Sequence, residues 1–94
     1  MKFWLPKNKE GKYNTLAVSI DGKPYDVQQD KGSNGRAMVD TGSTDVTPRT
    51  LGHLITLGWL FADVRTAKVA QEEAGVVLGP DGQAKTDETL KKNS

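Results

Sequence analysis

Thr47-Pro48-Arg49-Thr50-Leu51-Gly52-His53-Leu54-Ile55-Thr56-Leu57-Gly58-Trp59-Leu60 is where the chain changes its hydrophobic period. A threonine directly before a proline is a helix start: the hydroxyl can accept a free N–H, and proline at the first helical position gives up no hydrogen bond. Leu51, Leu54, Ile55 and Gly58 then share one face, and Leu57, Leu60 and Phe61 widen it. The spacing predicts one main helix over about 48–60, buried on more than one side. Gly52 and Gly58 each lower helix propensity by roughly 1 kcal/mol relative to alanine.

Upstream, the period is two. Leu16, Val18 and Ile20 alternate with Ala17 and Ser19, and Asp21-Gly22 follows as a hairpin turn. Tyr25 and Val27 resume the alternation, with Pro24 pointing to an edge strand. A hairpin is expected over 15–28, a polar loop over 28–36, and a third strand near 36–40. Downstream, Asp63 can cap a second helix that Gly75 would stop, with a strand through Val64, Thr66 and Lys68 as the alternative. Val76-Val77-Leu78 is strand-like and Gly79-Pro80-Asp81-Gly82 is a turn. The expected fold is a small α+β domain: an N-terminal β-hairpin or short antiparallel sheet, one main helix, and extended polar termini. The expected organisation is a basic N-terminal arm over 1–14, the domain over 15–82, and a polar tail over 83–94. The expected core is Leu16, Val18, Ile20, Val39, Leu51, Leu54 and Ile55.

Composition narrows the function classes. The 94 residues carry 13 Lys+Arg against 12 Asp+Glu, a net charge of +1, which gives no reason to expect a nucleic acid or an acidic lipid surface. Cysteine is absent, so disulfides and thiolate chemistry are excluded, and one histidine excludes a multi-histidine metal site within the chain. The longest apolar region, 51–62, is short of the roughly 20 residues of a membrane span, and the first six residues are too short for a signal-peptide core. No cofactor is expected.

Ala37-Met38-Val39-Asp40-Thr41-Gly42-Ser43-Thr44 carries the strongest chemical suggestion. Taken alone it is a turn leaving a strand, since Asp, Thr, Gly and Ser all favour turns. With Val18 to Pro24 before it and Pro48 to Gly52 after it, it resembles the active-site loop of retropepsin-like aspartic proteases. The resemblance implies a homodimer in which Asp40 of each copy shares one proton across the two-fold axis, one carboxylate acting as base and the other as acid. It further implies that Thr41 braces the dimer, that Gly42 lets backbone approach substrate, and that Ser43 hydrogen-bonds Asp40. In that family a glycine-rich flap follows; here the interval to Ala74 reads as helical, and Val77-Leu78-Gly79 is the only candidate for the glycine element behind the loop. The turn is therefore the leading expectation.

Other candidates are weaker. Asp30 to Gly35 is similar to the start of a calcium loop, but a liganding position holds Gly32 and the bidentate position holds Thr41. His53 reads as a structural histidine, and Glu72, Glu73, Lys91 and Lys92 as solvated charges. Trp4, Trp59 and Phe61 are large apolar groups in a chain where Leu, Ile, Val and Phe together number only 20. They are expected to contact a partner subunit. The expected function is a non-enzymatic structural or interaction subunit of a larger assembly, with self-association, no membrane and no specific nucleic acid. A small, glycine-rich, cysteine-free accessory chain of a bacteriophage particle (capsid-associated or head–tail) is the first setting. Its location is then the virion after synthesis in a host cytoplasm, and otherwise cytoplasmic. The alternative is the homodimeric protease.

Overall fold

The computed structural model describes residues 1–13, 16–30, 32 and 35–85. Six strands and two helices follow in the order β1 (Lys2–Trp4), β2 (Val18–Ile20), β3 (Lys23–Tyr25), β4 (Gln28–Asp30), β5 (Arg36–Asp40), α1 (Pro48–Thr56), β6 (Leu60–Phe61) and α2 (Val64–Ala74). This is the α+β domain anticipated. β2 and β3 form their own hairpin. Its turn residues Asp21 (φ 53°) and Gly22 (φ 78°) are both left-handed, the geometry that matches strand twist in a two-residue loop.

The main sheet is antiparallel with strand order β4-β5-β1-β6. Its inner strand β1 corrects the expected N-terminal arm. Met1, Phe3 and Leu5 alternate inward and are buried, Phe3 to 1% exposure. Phe3 pairs with Val39 on one side and Phe61 on the other. The first five residues thus belong to the sheet, with Met1, Phe3 and Leu5 in the core, and are not an appendage. Leu16, expected in the core, is 73% exposed and precedes the first residue of β2.

α1 starts as anticipated. Thr47 is the N-cap and accepts from the Thr50 amide, with Pro48 at the first helical turn. The helix stops at Thr56 rather than near Leu60. Gly58 adopts φ 95° and its N–H donates to the Ile55 carbonyl, while the Trp59 N–H donates to the Leu54 carbonyl. That pair of bonds closes a left-handed helix terminus. The chain leaves it extended, so Leu60–Phe61 becomes β6 and pairs with β1. α2 is helical as expected, capped by Asp63 Oδ1 on the Thr66 amide (2.8 Å) and ended by Gly75 at φ 67°. Residues 76–78 form no strand; Leu78 makes a single bridge to Ala84 around the 79–82 turn.

The inward residues of β1, β5 and β6 share one core with Leu51, Leu54 and Ile55 of α1 and Ala67 and Ala70 of α2. Both helices therefore cover one face of the sheet. Thr66, fully buried, accepts the Lys2 N–H through Oγ1 at 2.7 Å and ties α2 to β1. Asp21, at the hairpin turn, accepts from the Thr47 amide (2.9 Å), the Thr47 hydroxyl (3.0 Å) and the Thr50 hydroxyl. These bonds strap the hairpin to the start of α1 and hold the Asp21 carboxyl below its ordinary pKa, the Thr47 amide contributing most. At Asp63 burial pushes the carboxyl up, but the Thr66 hydrogen bonds and the charges of Lys2 and the N-terminus outweigh it, and its pKa is lowered. At the far edge, the Gln83 carboxamide takes both outward backbone groups of Phe61: Oε1 accepts its N–H at 2.7 Å and Nε2 donates to its carbonyl at 3.0 Å.

Candidate functional site

The sheet face away from the helices is built by period two. In β5 the residues Arg36, Met38 and Asp40 alternate with buried Ala37 and Val39. Register then places Gln28, Met38, Trp4 and Leu60 in one row across β4, β5, β1 and β6. Trp4 and Met38 are half-buried by their neighbours, and Leu60 is 37% exposed. Two charged rows flank this row, which is apolar from Met38 through Trp4 to Leu60. Lys2 pairs with Asp40 at one end, and Arg36 with Asp30 at the other. The Arg36 guanidinium lies over the Trp4 ring, 4.5 Å from its centroid. That cation–π contact braces the two large side chains against each other.

The three aromatics expected at a partner interface separate here. Trp4 lies on the outer face. Phe61 is 5% exposed and belongs to the chain's own core, with its ring 6.2 Å from Phe3. Trp59 is half-buried and meets Phe3 edge-on at 6.0 Å. Both packings follow from the same event, the helix stop at Gly58, after which Trp59 and Phe61 turn towards Phe3 and Leu60 turns outward. Arg36 and Met38 were not singled out from sequence. The signal was present in the alternation of Arg36-Ala37-Met38-Val39-Asp40.

The Asp40 loop is a turn anchored on the start of β1. Asp40 Oδ1 accepts the Gly42 N–H at 2.8 Å. Gly42 takes φ 65°, and Ser43 is exposed. Thr41 is buried; its Oγ1 accepts from the Met1 amino group at 3.0 Å and donates to the Thr44 carbonyl at 2.6 Å. The Met1 amino group also donates to the Gly42 carbonyl at 3.0 Å. Thr41 thus braces its own chain, and the Asp40 contact comes from the Gly42 amide.

Asp30 Oδ1 is occupied by the Gly32 N–H at 3.0 Å, the geometry of a turn. Among the described residues no group of three or more His, Asp or Glu could hold a metal ion. His53, Glu72 and Glu73 are exposed on the helices, and Lys91 and Lys92 lie outside the described residues. A cleft of about 470 Å³ opens between β6, α2 and the 78–83 turn, with Phe61, Val64, Ala67 and Leu78 in its lining. No described helix is long and apolar enough to cross a membrane. Comparison with protein-family models, with curated proteins and with solved structures returns no match.

Proposed function

We propose that this chain is a non-enzymatic interaction subunit of a larger protein assembly and docks through the outer face of its sheet. The observation that carries the reading is the row Met38, Trp4 and Leu60, apolar and flanked at each end by a charged pair, on the face the helices leave uncovered. Trp, Met and Arg are the residue types enriched where protein interfaces bury their centre, and a rim of mixed charge suits such a centre. Trp is among the residue types enriched at interface hot spots, where truncation weakens binding by about 2 kcal/mol or more. The setting we propose is a bacteriophage particle, as a capsid-associated or head–tail accessory chain; it rests on the small, glycine-rich, cysteine-free character of the sequence.

The test is the mass and composition of the native complex containing this chain, compared with the complex formed by Trp4→Ala. Loss of incorporation with an unchanged unfolding midpoint supports the reading. Undiminished incorporation sinks it. So does the alternative, a homodimeric aspartic protease: peptide cleavage by the pure protein, abolished in Asp40→Asn, establishes that instead. Asparagine keeps the acceptor for the Gly42 N–H, so the variant leaves the turn in place.

A further inference from the structure

We infer that the partner on the outer sheet face is a second copy of this chain, docked face to face about a two-fold axis that runs along the row Gln28, Met38, Trp4 and Leu60. The inference rests on the docking reading above and names its occupant. β5 carries the pattern that selects it. Arg36 and Asp40 stand on the same face, each two residues from Met38 and opposite in charge. Rotation by 180° about an in-plane axis through Met38 reverses the strand and sets Arg36 of each copy against Asp40 of the other. Trp4 then meets Trp4, Met38 meets Met38 and Leu60 meets Leu60. Apolar groups thus match like with like, while the two β5 charges match opposite with opposite, as a self-complementary patch on both copies requires. The strands of the two copies stay near-aligned, as in face-to-face sheet packing at about 10 Å. The stacking of Arg36 on Trp4 fixes the cation beside the apolar centre before docking. The same axis places the two Asp40 carboxylates at opposite ends of β5, about 13 Å apart along the strand. That arrangement cannot share a proton between them.

The experiment is light scattering and sedimentation on wild type, Arg36→Glu, Asp40→Lys and Trp4→Ala, with unfolding midpoints of each. Wild type is expected to dimerise. Each charge variant alone should associate about a hundredfold more weakly, because two like-charge contacts replace two opposite ones. Mixing Arg36→Glu with Asp40→Lys should restore a heterodimer, since each contact is then again opposite in sign; misfolded variants would not be rescued this way. A wild type that stays monomeric at millimolar concentration overturns the inference, whatever the variants do. So does a wild-type dimer that Arg36→Glu leaves intact, which would place the axis elsewhere. If wild type is monomeric yet Trp4→Ala loses its place in the native complex, self-docking falls and the interaction reading stands. If Trp4→Ala is incorporated normally, the interaction reading itself falls.

Discussion

Replacing Asp21 by Asn should destabilise the fold by about 1 kcal/mol at neutral pH, and the loss should vanish in acid. Asp21 sits before the N-terminus of α1, whose first turn contains no acidic residue. Its carboxylate accepts from one amide and two hydroxyls there. A charge near a helix N-terminus is worth roughly 0.3–1 kcal/mol when exposed. Losing one acceptor oxygen adds a few tenths, since the site is open to solvent and screened. Asparagine tolerates the left-handed backbone of residue 21 (φ 53°), so the turn itself is preserved. The sign with pH follows from the depressed carboxyl. The folded chain holds the proton less tightly than the unfolded one. The stabilisation is therefore complete above the unfolded value of about 3.9 and is lost as pH falls through the lower folded value. Urea unfolding at pH 7 and near pH 2 measures it; at pH 7 the expected shift in thermal midpoint is about 4–8 °C per kcal/mol for a domain of this size. Equal stability of the two proteins at pH 7, or an equal deficit at both pH values, refutes the strap between hairpin and helix.

Three further outcomes follow from the same geometry. Thr66→Val keeps the volume of a fully buried side chain but removes the acceptor for the Lys2 N–H, and should cost about 1–3 kcal/mol in urea unfolding. Phe3→Ala should cost about 3–5 kcal/mol, because Phe3 lies in the centre of the sheet with Val39 and Phe61 beside it; a wild-type midpoint would mean that residues 1–5 are not core. Gln83→Ala should speed hydrogen exchange at the Phe61 amide well beyond its effect on global stability, since that N–H loses its acceptor while the core is untouched.

What the sequence revealed was local. The Asp21-Gly22 turn, the Thr47-Pro48 start and the Asp63 and Gly75 caps each act within a few residues, and all are found where the chain alone suggested them. β1 was hidden because its meaning is nonlocal: it is three residues long, lies just ahead of Leu5-Pro6, and finds its partners at residues 38–40 and 60–61. β6 was hidden by a continuing pattern. Leu57, Leu60 and Phe61 keep helical spacing past the point where Gly58 has already turned the backbone. The candidate surface was half legible for the same reason. Trp4 stood out by size alone, but Arg36 and Met38 acquire a role only once β1 is seen lying beside β5.

The Gln83 carboxamide has a consequence for how far any association can grow. A side-chain amide has the same donor and acceptor as a peptide group, and here it occupies the place where a neighbouring strand would hydrogen-bond to Phe61. Sheets that extend through both edges polymerise without limit. With the β6 edge already terminated, edge pairing through β4 could join at most two sheets and would then stop. A continuous ribbon cannot propagate through β6 while Gln83 stays in place.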